Sequence, residues 1–247
     1  VGSSLNKRLI KSVNDADFII ANSNFTKELA IKVGIDKSKI NIIFPGITKP
    51  INIDNFSKLK AEKIFTDSFP KIITVSRLDI RKGHDKILMV IKNLKPKFPK
   101  IKYVSIGSGD EENNLLKLRR ELGLENEVIF LKNINYREKI ALFNESNLFL
   151  MPSRIVKKSV EGFGISYIEA ASYGVGSIGG KDGGASDAIE HNKTGLICDG
   201  SDLNSIYESV INFFNDENFV KFGKNAKSFS EKFYWDKIVK NYLKLIN

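Results

Sequence analysis

The stretch Ile72-Ile73-Thr74-Val75-Ser76-Arg77-Leu78-Asp79-Ile80-Arg81-Lys82-Gly83-His84 passes from an apolar run into a short polar loop and then into an amphipathic segment at 84–94. β-Branched residues suit a buried strand, and apolar residues returning every three or four positions suit a helix. The same order recurs along the chain. Strands are expected at 18–21, 40–43, 72–76, 103–106, 128–131 and 148–151, with short ones near 176–178 and 196–198. Helical patterns occupy 24–33, 84–94, 111–122, 137–143, 165–173 and 202–214. This alternation argues for a doubly wound α/β fold, a parallel sheet covered on both faces.

The punctuation falls on one side of that sheet. The strands from residue 72 to residue 180 run into Ser76-Arg77, Gly107-Ser108-Gly109, Lys132-Asn133, Pro152-Ser153 and Gly179-Gly180. In open parallel sheets, ligands bind outside the carboxyl ends of the strands. One site assembled from several strand-end loops is therefore expected.

Two prolines and a glycine interrupt the apolar pattern between residues 45 and 55, which predicts a boundary there. Residues 1–50 then read as the end of one domain plus a linker, and residues 51–247 as a second domain. The last stretch, 229–246, reads as one helix carrying Phe233, Trp235, Ile238, Tyr242 and Leu245, with Trp235 expected in the core.

Composition narrows the class. The chain has 247 residues, 42% hydrophobic and 28% charged, as a globular protein does. No apolar run approaches the roughly 18 residues of a membrane-spanning helix. The first eleven residues lack the apolar stretch of a signal peptide, and the chain starts with Val, as a processed or excised piece would. The single cysteine, Cys198, allows no internal disulfide, which fits a cytoplasmic location. The net charge is +10, from 39 Lys and Arg against 29 Asp and Glu. The lysines are scattered, as AT-biased coding would produce; attraction to an anionic membrane surface is the alternative. No run alternates basic and aromatic residues as a nucleic-acid platform does, so no nucleic-acid partner is expected.

Four constellations carry chemistry. The basic loop 77–83 lies between a strand and a helix, where N–H groups, helix dipole, Arg77 and Lys82 suit phosphate oxygens; a solvated surface loop would look similar. Gly107-Ser108-Gly109-Asp110 permits close backbone approach to a ligand, or makes a tight turn. The third is Glu161-Gly162-Phe163-Gly164-Ile165-Ser166-Tyr167-Ile168-Glu169-Ala170. On one continuous helix its two carboxylates would stand about 80° apart. The glycines change that: Glu161 would precede the helix and Glu169 would sit in its early turns, with the N–H groups of Phe163 and Gly164 free for ligand oxygens. The fourth, Gly179 to Asp187, is glycine-rich at a strand end.

Glu161 and Glu169 with seven residues between them resemble the E-x7-E motif of glycosyltransferase family 4, and EGFGISYIEA is similar to that family's wording. SRLDIRKGHD resembles its phosphate-binding loop, and MPS and GGASDAI stand in family order. Residues 15–47 resemble the last units of the family's N-terminal domain, so the resemblance covers nearly the whole chain. It implies a retaining enzyme of GT-B fold, of which this chain holds the Rossmann-like C-terminal part. By that resemblance Arg77 and Lys82 hold the donor diphosphate, Glu169 the ribose, and Glu161 with the N–H groups of Phe163 and Gly164 the sugar, with Ile165 also in the donor site. Gly107, Gly109, Lys132 and Asn133 belong to the same donor site. The implied substrate is GDP-mannose or a UDP-sugar. The implied acceptor is a lipid or a polysaccharide, reached at the inner face of the membrane. No metal or cofactor is expected, since His84 and His191 have no ligand cluster around them. The final helix crosses to the N-terminal domain in this family, so its apolar face is expected to be partly exposed here. Without most of that domain the chain is expected to bind donor but not to transfer it. Asp187, preceded by Ser186, departs from the family's Glu. A sugar-nucleotide epimerase and a non-catalytic nucleotide-sugar-binding module remain as alternatives.

Overall fold

The structure, a computed structural model, describes residues 4–246. Eight strands and eleven α-helices follow one another as α1 (Ser4–Asn14), β1 (Ile19–Ala21), α2 (Asn24–Lys32), β2 (Ile40–Ile42), α3 (Asn55–Ile64), β3 (Lys71–Val75), α4 (His84–Leu94), β4 (Lys102–Ile106), α5 (Glu112–Glu121), β5 (Val128–Leu131), α6 (Tyr136–Glu145), β6 (Leu148–Met151), α7 (Ile165–Ser172), β7 (Gly176–Gly180), α8 (Ala185–Ala188), β8 (Gly195–Cys198), α9 (Leu203–Phe214), α10 (Asn218–Ser230) and α11 (Trp235–Ile246).

Six strands form one parallel sheet in the order β5-β4-β3-β6-β7-β8. The direction of progression reverses between β3 and β6, which is the topological switch point of a doubly wound sheet. Both faces are covered. Ile72, Tyr103, Leu148 and Leu150 pack beneath α4, α5 and α9, whereas Ile73, Val104, Phe149 and Met151 pack beneath α3, α6 and α7. The side-chain period of two along each strand produces this division. Strands β1 and β2 make a separate parallel pair with its own small core of Ala21, Ile35 and Ile40. Among the described residues no helix is long and apolar enough to cross a membrane.

The structure departs from the expected elements at several places. Helices α3 and α10 were not expected. In α3 only Ser57 and Ala61 are buried, so its sequence has little apolar stripe to show. In α10 the breaker Gly223 lies inside the helix, where a side chain would collide with the Gly174 carbonyl. The final stretch is not one helix. It breaks at a 3-10 turn, Glu231–Phe233, after which Tyr234 is extended. Phe233 turns fully into the core. The freed backbone pairs with the linker: Ile47 N–H donates to Phe233 O at 2.8 Å and Trp235 N–H to Ile47 O at 3.1 Å. Trp235 is not a core residue. It is 49% exposed, with its ring against Gly46, where any Cβ would strike the indole. Along α11 only Ile238 is buried, while Val239, Tyr242, Leu243 and Ile246 are exposed.

Candidate functional site

The loops after β3 and β6 flank the switch point, and their charged side chains meet there. The basic loop folds as a 3-10 turn, Ile80–Lys82, capped by Asp79, whose carboxylate accepts the Arg81 N–H at 2.9 Å. Gly83 then takes the left-handed conformation, and a side chain there would lie 2.6 Å from the Pro152 carbonyl. This tight passage turns Arg81 and Lys82 inward. The Lys82 ammonium pairs with Glu161 Oε2, and Arg81 Nη1 reaches the same oxygen at 3.1 Å. Burial holds the Lys82 ammonium below the usual lysine range, with the Glu161 carboxylate opposing that fall.

Glu161 leads into α7 as the spacing suggested. Gly164 has φ 89°, a left-handed value that ends the loop and starts the helix at Ile165. Glu161 thus lies outside the helix and Glu169 in its second turn. The N–H groups of Phe163, Gly164 and Ile165 donate to no backbone or side-chain acceptor among the described residues, so the helix start offers donors to an oxygen-rich ligand. The Phe163 side chain is buried between Phe44 and Phe233, which anchors the loop. The glycine pair after β7 serves Glu161 as well. Gly184 N–H donates to Glu161 O at 2.8 Å, and the two glycines let the chains approach.

Other candidate residues lie apart from that cluster. The Arg77 side chain is 74% exposed and only comes within 3.7 Å of Asp79. Glu169 Oε1 accepts from Lys139 Nζ at 2.9 Å, beside a small cavity lined by Thr48, Tyr136 and Tyr173. Lys132 pairs with Glu112 at 2.8 Å, and Asn133 adopts a left-handed φ of 56°. Gly107, with φ 146°, and Gly109 abut the carbonyls of Ser76 and Leu78, so their lack of a side chain is already required for packing the β3 and β4 loops together. Asp187 accepts from Asn24 N–H at 2.7 Å and from Asn24 Nδ2 at 2.6 Å, at the start of α2.

The histidines do not converge on a common ligand. His84 is buried, with Nε2 3.0 Å from Ser76 Oγ and Nδ1 3.0 Å from Tyr103 OH. Burial pushes its pKa down to about 4. His191 Nδ1 accepts the Ile197 N–H at 2.9 Å.

Residues 55–231, most of the chain, match the family described as Glycosyl transferases group 1. The chain belongs to this family. Among curated proteins this group 1 glycosyl transferase chain is similar to a GDP-mannose-dependent alpha-(1-6)-phosphatidylinositol monomannoside mannosyltransferase of Mycolicibacterium smegmatis. The two are 28% identical over 201 residues, which cover 80% of this chain and 53% of that protein. It is also similar to the capsular polysaccharide biosynthesis glycosyltransferase CapM of Staphylococcus aureus, 28% identical over 238 residues, 91% of this chain and 60% of that one. The chain spans about half the length of the curated relatives it matches. Among solved structures, Anabaena Alr3699/HepE in complex with UDP and glucose superposes with a TM-score of 0.84 at 20% identity, covering all of this chain and 67% of that one. At that identity the likeness establishes the fold.

Three features of this group 1 chain went unseen in the sequence. Arg81 stands in the quoted loop, yet nothing local distinguishes it from its neighbours. The Lys139 to Glu169 pair joins residues thirty positions apart. Arg154, next to the Pro152-Ser153 loop, makes two bonds to Asp85. All three depend on pairing between elements, for which a single sequence carries no signal beyond the charges themselves.

Proposed function

We propose that residues 1–247 carry the donor site of a retaining glycosyltransferase of family 4, whose GT-B architecture places a nucleotide sugar at the switch point between β3 and β6. The observation that carries this reading is the meeting of Lys82, Arg81 and Glu161 in front of the unpaired N–H groups that begin α7. In this reading Lys82 and Arg77 take the donor diphosphate, Glu169 the ribose hydroxyls, and Glu161 with the Phe163 to Ile165 backbone the sugar. Gly107, Gly109, Lys132 and Asn133 border the nucleotide.

The chemistry follows from the leaving group. As the bond from the anomeric carbon to the diphosphate oxygen breaks, negative charge grows on the phosphate oxygens. Fixed cations aimed there lower the barrier. Arg77 and Lys82 supply that charge without a divalent metal. Lys82 must leave Glu161 for this role, and a dianionic diphosphate is the stronger competitor for its ammonium. Arg77, exposed and loosely paired, can close over the same phosphates.

GDP-mannose and UDP-sugars are the donor classes we assign, in line with the mannosyltransferase relative and the UDP-bound neighbour. The acceptor class is a lipid-linked or polysaccharide hydroxyl, as in the relatives' names. The +10 charge suits work against an anionic membrane face.

A thermal-shift panel of UDP, GDP, ADP and their sugar conjugates, with and without EDTA, tests the reading. A ligand at 100 times its Kd should stabilise the fold by about 2.7 kcal/mol. One base should stand out, and EDTA should leave the shift unchanged. No shift with any nucleotide would overturn the donor-site assignment, and loss of the shift in EDTA would overturn its metal independence.

A further inference from the structure

Glu161 receives two cations on one oxygen, and they are not equivalent. Lys82 carries its charge on a flexible four-carbon stem and is the group a diphosphate would draw away. Arg81 is held on every side. Its N–H donates to the Asp79 carboxylate at 2.9 Å, its carbonyl accepts the Arg154 N–H at 2.9 Å, and its side chain is 8% exposed. Its Nη1 binds Glu161 Oε2 at 3.1 Å. Its Nε is buried with no hydrogen-bond partner, and an Asp79 carboxylate oxygen lies 4.0 Å away, too far to accept from it. The guanidinium therefore has donor capacity left over beside Glu161 and no freedom to follow Lys82 toward the phosphates.

Resting on the donor-site reading above, we propose that Arg81 is the positioning residue for the sugar half of the site. It keeps the Glu161 carboxylate in place after the diphosphate has taken Lys82, so that Glu161 can accept from the sugar hydroxyls. A carboxylate as enclosed as Glu161 needs a compensating charge in both states of the site. Lys82 and Arg81 supply it together when the site is empty, and Arg81 alone when it is full. Arg77 cannot substitute, because its side chain lies in solvent and makes no contact with Glu161.

This division of labour is read from sugar dependence. Calorimetry on the 247-residue protein with UDP, UDP-glucose, GDP and GDP-mannose gives, for each base, the ratio of the Kd of the bare nucleotide to that of its sugar conjugate. Arg81→Ala should lower that ratio by about tenfold, the value of one charge-assisted contact, while the Kd of the bare nucleotide stays within about twofold. Arg81→Lys should restore part of the ratio. Glu161→Gln should lower it similarly, and the double variant should lose little more than either single one, since the two residues act through one contact. Equal weakening of nucleotide and conjugate would make Arg81 a phosphate ligand or a structural residue and overturn the proposal. An unchanged ratio would overturn it too. Should Arg81→Ala not fold, the same comparison is made with Arg81→Gln and Arg81→Lys, whose melts show whether the scaffold is intact. Failure of the unaltered protein to bind any of the four probes would instead remove the donor-site reading itself.

Discussion

The Arg154 guanidinium and the Asp85 carboxylate face each other in a fork, Nη1 to Oδ1 at 3.0 Å and Nη2 to Oδ2 at 2.8 Å. Arg154 lies just beyond β6 and Asp85 in the first turn of α4, so the pair ties together the two strand-end segments that flank the switch point. The backbone completes the tie through Arg154 N–H and Arg81 O, at 2.9 Å. The position of Arg81 and Lys82 relative to Glu161 is thus set by a contact on the other side of the basic loop.

Breaking that fork should cost stability. Arg154→Ala leaves a largely enclosed carboxylate without its partner, a loss of about 3 kcal/mol for a pair of this kind. In a chain of this size that is a fall in Tm of roughly 6–12 °C. A melting temperature within a degree or two of the unaltered protein would show that the fork is ornamental.

Glu161 and Glu169 should separate by ligand. Glu161→Ala should weaken a sugar nucleotide while sparing the bare nucleotide, because its proposed contact is the sugar. Glu169→Ala should weaken both, because its proposed contact is the ribose. The Lys139 ammonium that holds Glu169 at 2.9 Å orients the carboxylate for that task. Parallel titrations decide it: equal losses for both ligands in both variants would count against the two roles.

Lys82→Ala should weaken nucleoside diphosphate binding by about 1.5–3 kcal/mol, the value of a hydrogen bond to a charged group. Arg77→Ala should fall in the same range, although the Arg77 side chain is not yet near the cluster. The salt dependence of the two losses should differ, since the exposed Arg77 is screened more than the buried Lys82. Isothermal titration at low and high salt reads this directly, and unchanged affinity in both variants would remove the phosphate role from the loop.

How far the sequence discloses this arrangement follows from what is local and what is not. The strands are legible because Ile72 and Ile73, or Leu148 and Phe149, must bury on opposite faces, and a run of apolar β-branched or aromatic residues states that directly. The break before α7 is legible because Gly162 and Gly164 interrupt an apolar helical pattern. Helix α3 is not, since two small buried residues leave no stripe to detect. Trp235 misleads for the same reason in reverse: its size suggests a core, but its ring lies against Gly46 with half its surface outside. Between Arg77 and Arg81 the sequence has no means of choosing. One is exposed and one enclosed only because Glu161 and Arg154 arrive from the far side of the switch point.

His84 sits at the first position of α4, immediately after the basic loop. Its ring is enclosed and bonded to Ser76 Oγ and Tyr103 OH. Protonation would place a cation in a buried site, close to Lys82 and at a helix start where the dipole already presents positive charge. Burial is the main cause of its fall to about 4 from the ordinary 6.5, and the Lys82 charge adds to it. The unfolded chain therefore takes up the proton at a higher pH than the folded one. Stability from the neutral ring is fully present above about pH 6.5, declines as the pH drops, and is exhausted near the folded value of about 4. Over that window the loss should be on the order of 2–3 kcal/mol. His84→Gln removes the titration while keeping a polar side chain. Its deficit relative to the unaltered protein in denaturant melts should be largest at neutral pH and shrink as the pH falls from 6.5 to 4. A deficit that stays constant across that window would show that His84 does not carry the acid sensitivity of the fold.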